Sequence, residues 1–297
     1  PPGRVRKTGD ETMKKTNNYW MAVLVFVATM ALLYGGAIIL SLGAAVGGAV
    51  IGGGRAIELI DRFMTENMNL FSCLIYVVPG AVFITWYYFA FVEKRGIRET
   101  LYSHTRRLSP ACFGWIVLLG FAVQHVISLL MAAIYAIMPS AMDQYTEMID
   151  SSGISQYSIL WAVSTLILPP IVEEIIFRGL ILQYLGRAGA RFLVANLIQA
   201  VLFGVFHMNF VQGIYTALLG FLLGWLAYRY DSILVPMVLH AIFNLFGTVL
   251  VDLESRFLPD IVLTLIILGS VPLLVITILM IHFGVGEKKK KIGEVQQ

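Results

Sequence analysis

Two adjacent glutamates and an arginine stand inside an apolar run, Pro169-Pro170-Ile171-Val172-Glu173-Glu174-Ile175-Ile176-Phe177-Arg178-Gly179. Charged groups in such a setting are expensive and mark function by default. Glu174 and Arg178 are four residues apart, so on a helix they share a face and can pair. The planar guanidinium suits a carboxylate. Glu173 is turned about 100° away, and its own neighbour one turn on is Phe177, which offers no counter-charge. Glu173 is therefore the less satisfied carboxylate and the better candidate for a base. The Pro169-Pro170 pair interrupts the backbone hydrogen bonds just before it, which lipid does not tolerate but a wet cavity does.

Three further polar residues fall in the same half of the chain. His207 ends an apolar run, and His240 and Asn244 share a helical face at a spacing of four. A carboxylate and a histidine can hold and deprotonate a water. A second histidine and an amide can donate to a developing oxyanion. Together these groups suit hydrolysis of an amide or ester without a covalent intermediate. The sequence has no His-Glu-x-x-His motif, no Gly-x-Ser-x-Gly elbow and no aspartate pair within a span. His125 and His282 read as satisfied packing residues.

The elements that must position these groups are membrane helices. Apolar residues make up 58% of the chain and charged residues 13%, against about half and about a quarter in soluble domains. Spans need about 20 apolar residues, and eight stretches qualify: 19–51, 68–92, 110–138, 158–183, 191–208, 213–229, 232–251 and 258–284. The expected fold is all-α and polytopic, with about eight transmembrane helices. The fifth and sixth stretches are short, and a single site requires them to form a hairpin that stops inside the membrane.

Basic residues set the orientation. With the N-terminus cytoplasmic, seventeen Lys and Arg fall inside, including Lys94, Arg95, Arg98, Arg106, Arg107 and Lys288 to Lys291, and only Arg55, Arg62 and Arg256 fall outside. Both termini are therefore expected in the cytoplasm. The segment 139–157 has no Lys or Arg and reads as an outer loop. The first run is too long for a cleaved signal and reads as a retained helix ending in a bend at Gly52-Gly53-Gly54. Residues from Pro1 to Arg4 are set aside. Gly43/Gly47, Gly48/Gly52 and Gly220/Gly224 are helix-packing pairs. Cys73 and Cys112 form no disulfide framework. The net charge of +3 is modest; no nucleic-acid partner is expected.

Glu173-Glu174-x-x-x-Arg178, Phe203-x-x-x-His207 and His240-x-x-x-Asn244, in that order, resemble the signature of the type II CAAX prenyl endopeptidases and their bacteriocin-processing and immunity relatives. The resemblance covers roughly residues 155–250. It implies a membrane-embedded endopeptidase of the bacterial plasma membrane, with Glu173 as general base, His207 as its partner on the water, His240 and Asn244 at the oxyanion, and Glu174 with Arg178 as a structural ion pair. The implied partners are the lipid bilayer and a membrane-associated peptide or protein, prenylated or bacteriocin-type. It divides the chain into a cytoplasmic tail (1–18), N-terminal membrane helices (19–152), a protease-like core (153–252), and a last span with a basic tail (253–297). Zinc is the alternative to glutamate-activated water, with Glu173, His207 and His240 as ligands should they converge. Asn244 reads better as a donor than as a ligand. A non-catalytic scaffold or immunity protein, and a proton-coupled carrier, are the competing functions. The carrier would want internal symmetry, and none is visible.

Overall fold

A computed structural model describes the backbone of residues 2–52, 55–154 and 156–295, and side chains within 13–284 other than those of residues 52–54, 56, 59, 64 and 155. Every regular element among them is helical. In chain order they are α1 (Pro2–Gly52), α2 (Ala56–Glu66), α3 (Met68–Val92), α4 (Ile97–Thr105), α5 (Pro110–Ile137), α6 (Pro139–Ser151), α7 (Ile159–Arg187), α8 (Phe192–Phe206), α9 (Phe210–Tyr230), α10 (Leu234–Phe257) and α11 (Asp260–Val295).

Among the described residues, seven helices are long and apolar enough to cross a membrane: α1 over Met13–Ile51, α3, α5, α7, α9, α10, and α11 over Asp260–Gly284. The eighth apolar stretch, α8, has 15 residues. At 1.5 Å per residue it reaches about 22 Å, short of the roughly 30 Å hydrocarbon. The chain is thus an integral, multi-pass membrane protein, with seven full-length apolar helices and one shorter apolar helix among the described residues. The expected outer loop 139–157 is a helix, α6, over most of its length. Gly53 and Gly54 of the expected bend, and the side chains of Lys288 to Lys291, lie outside the described residues.

The centre of the bundle is α7. Every residue from Val172 to Leu182 is buried, as befits a helix walled on all sides. Its walls are α1, α3, α8 and α10. By contrast α1 and α11 leave Val46, Ile51, Leu265 and Phe283 exposed, faces suited to lipid.

The short α8 pairs closely with α9, and glycines make this possible. A Cβ on Gly204 would lie 2.5 Å from the Gly213 carbonyl oxygen, and one on Gly224 would lie 1.8 Å from Asn196 Oδ1. Gly220/Gly224 is therefore a packing pair. Gly43 and Gly47 have nothing within 4 Å of a built Cβ, so that pair packs against no described part of the chain.

Candidate active site

The break predicted at Pro169-Pro170 shapes the site. Wide π-type turns at Ala162–Ile167 and Ile175–Ile181 flank the α-helical segment Leu168–Glu174. Such turns are frequent at functional sites. Pro169 has no N–H to give the carbonyl four residues back, that of Thr165. Asn244 Nδ2 donates to that oxygen at 2.9 Å. Asn244 thus caps the break from α10, with one of its two amide hydrogens committed there and one remaining.

Glu174 and Arg178 are fully buried, and Arg178 Nη1 donates to Glu174 Oε1 at 2.7 Å. The arginine also donates from Nη2 to the Gly220 carbonyl at 2.9 Å, and its guanidinium lies 4.6 Å from the ring centroid of Phe203. Gln199 Nε2 donates to the same Gly220 oxygen and to Asn196 Oδ1. Glu174 does more than pair with Arg178, because its Oε1 also accepts from His240 Nδ1 at 2.9 Å. That contact fixes the imidazole, and helical spacing within α7 alone gave no sign of it.

Glu173, 3% exposed, carries a different set of contacts. Tyr76 of α3 donates its hydroxyl to Oε1 at 2.5 Å. Oε2 is buried with no hydrogen-bond partner and faces His240 Nε2 at 3.9 Å. A buried unpaired oxygen is costly and calls for explanation; a water between carboxylate and imidazole would satisfy it.

His207 stands at the tip of the α8–α9 hairpin. Its Nδ1 lies 2.8 Å from the Phe203 carbonyl, which assigns the proton to Nδ1 and leaves Nε2 as an acceptor. The tip is held from both sides. Tyr34 of α1 donates to the Phe206 carbonyl, one of the orphan acceptors at the end of α8. The Asn209 side chain caps α9 by accepting from Gln212 N. Met208 between them sits at φ 53°, a conformation rare outside glycine and asparagine. The tip is thereby held against α1 and lines the same cavity as Glu173.

Glu173, His207, His240 and Asn244 all line one cavity of about 720 Å³. The first half of the chain also lines it, through Tyr34, Tyr76, Gln124 and Tyr145. No motif marks these four; for Tyr34, Tyr76 and Gln124 the available signal is polarity within apolar helices. Gln124 is 8% exposed, and its Oε1 has no partner; it lies opposite Gly247, one turn beyond Asn244. His125 does not share this cavity. Its Nδ1 lies 2.8 Å from the Phe121 carbonyl and its Nε2 3.0 Å from Glu254 Oε2, so it is satisfied. Among the described residues no group of three His, Cys, Asp or Glu side chains could hold a metal ion. Of the three residues of the zinc set, His240 turns Nε2 towards Glu173 Oε2 at 3.9 Å while its Nδ1 donates to Glu174, and His207 lines the same cavity.

Residues 155–246 match the family described as Type II CAAX prenyl endopeptidase Rce1-like. Over 95 residues the chain is 35% identical to the Bacillus subtilis (strain 168) protein named "Putative membrane peptidase YdiL". That stretch is 32% of this chain and 38% of the relative, so the chain spans well under half the relative's length. No solved structure matches. The matched segment contains α7, α8, α9 and the α10 residues His240 and Asn244, whereas Tyr34, Tyr76 and Gln124 lie before it.

Proposed function

We propose that the protein is a membrane-embedded endopeptidase that hydrolyses a peptide bond of a membrane-associated peptide or protein through water activated by Glu173. The observation that carries this reading is the unpartnered, buried Oε2 of Glu173 facing His240 Nε2 inside an intramembrane cavity. Glu173 takes a proton from the water at Oε2 while Tyr76 holds Oε1. His207 accepts the water's other hydrogen at Nε2. The hydroxide adds to the scissile carbonyl, and the charge on its oxygen is met by the free N–H of Asn244 and by His240 Nε2. With Nδ1 donating to Glu174, Nε2 donates only in the doubly protonated ring. Collapse of the tetrahedral adduct breaks the C–N bond, and the proton on Glu173 passes to the leaving amine.

Residues 153–252 form the catalytic core in this reading, and the helices before them close the cavity. Both termini lie in the cytoplasm. Prenylated and bacteriocin-type peptides are the substrate classes to test first. The test is proteolysis of a membrane-presented peptide library by purified protein in lipid, beside Glu173→Gln and His207→Ala. Cleavage by the wild type with loss in both variants supports the reading. Cleavage unaffected by either variant, or none from any library, would count against it.

A further inference from the structure

The cavity has an opening at one end of the bundle, and the chain's charges identify that end. Its outer lining comes from Tyr145 and Ile149 of α6, Tyr157 of the connection to α7, and Asp252 and Ser255 near the end of α10. All belong to the end where α1, α5 and α10 finish and α3, α7 and α11 begin. No residue of the opposite connections, 93–109, 186–191 and 229–233, lines it.

The two ends differ sharply in charge. Those opposite connections carry eight Lys and Arg, from Lys94 to Arg229, against Glu93, Glu99 and Asp231. At the cavity's end, residues 52–68, 138–158 and 251–260 carry three arginines, Arg55, Arg62 and Arg256, against nine acidic residues. Loops rich in Lys and Arg stay in the cytoplasm. The cavity end is therefore the extracytoplasmic one.

Resting on the peptidase reading above, we infer that the site admits its substrate from the extracytoplasmic face, so that the substrate class is a polypeptide segment presented on the exported side of the membrane. Depth sets the length of substrate required. Glu173 lies 14 residues from either end of α7, about 21 Å at helical rise. A substrate segment of about six or seven extended residues reaches it from the mouth. From the basic end, the buried run Val172–Leu182 and the fully buried Arg178 block the way. The tail of a protein that stays in the cytoplasm has no path to Glu173.

The test uses the full chain in intact cells. Cys73 and Cys112 are buried, so single cysteines can be added to the natural background. Ser152→Cys and Ser255→Cys mark the mouth, Ser128→Cys marks the cavity wall, and Leu101→Cys and Thr105→Cys mark the basic end. A membrane-impermeant maleimide is expected to label the first three equally before and after permeabilisation, and the last two only after it. The reverse pattern overturns the inference. A peptide cleaved from the library is then supplied either with an export signal or without one. Cleavage confined to the exported form is expected, and cleavage confined to the retained form also overturns the inference. If no peptide is cleaved, the peptidase reading fails while the labelling still decides which face the cavity opens to.

Discussion

Arg178→Ala separates a structural from a passive role for the buried arginine. The side chain is fully buried and makes three contacts: 2.7 Å to Glu174, 2.9 Å to the Gly220 carbonyl, and a guanidinium 4.6 Å from the Phe203 ring centroid. Removing one partner of a buried pair costs about 3–5 kcal/mol, because the other charge is left stranded. Loss of the desolvated cation–π contact adds about 1–2 kcal/mol. Arg178→Lys recovers little, since a point charge cannot serve Glu174 and Gly220 together. The double change Glu174→Gln with Arg178→Met removes both charges and should restore most of the stability. The assay is denaturant unfolding in mixed micelles, for both singles and the double. Activity should fall in parallel, as Glu174 Oε1 also holds His240. A stable, fully active Arg178→Ala protein would refute the pairing argument.

Other perturbations discriminate further. Gly224→Ala puts a methyl 1.8 Å from Asn196 Oδ1 and should cost about 2–3 kcal/mol; Gly43→Ala meets nothing and should gain about 0.5–1 kcal/mol of helix stability, both read by unfolding. Tyr76→Phe deletes the hydrogen bond to Glu173 Oε1 and should lower kcat about tenfold or more, with KM unchanged in steady-state kinetics. Gln124→Met keeps the side chain's shape and loses no internal partner at Oε1. Stability should therefore hold, while KM for a peptide substrate rises if the amide binds substrate backbone.

Much of this was legible because charges in an apolar run have few places to go. The spacing of Glu174 and Arg178 foretold their contact, and the Pro169-Pro170 break foretold a freed carbonyl. What took that carbonyl, Asn244, sits 79 residues away, and no local pattern could link them. Tyr34 and Tyr76 were hidden for a similar reason. A tyrosine in a membrane helix looks like ordinary apolar packing until a neighbouring helix brings a glutamate or a bare carbonyl to its hydroxyl. The length of α8 was readable, but its tight pairing with α9 depended on which glycines met across the hairpin. The stretch 139–151 reads as an outer loop because it has no Lys or Arg; that it is a helix tied to α9 by Tyr145 and Tyr215 depends on a partner 70 residues away.

The most direct test of the central claim is hydrolysis of one membrane-presented peptide by wild type and Glu173→Gln in the same lipid, each with and without a chelator. The account predicts cleavage by the wild type in both conditions and a loss of about 10²–10⁴-fold in Glu173→Gln, with unfolding curves alike. Equal rates for the two proteins would contradict it, and so would wild-type activity that disappears with the chelator and returns with added zinc.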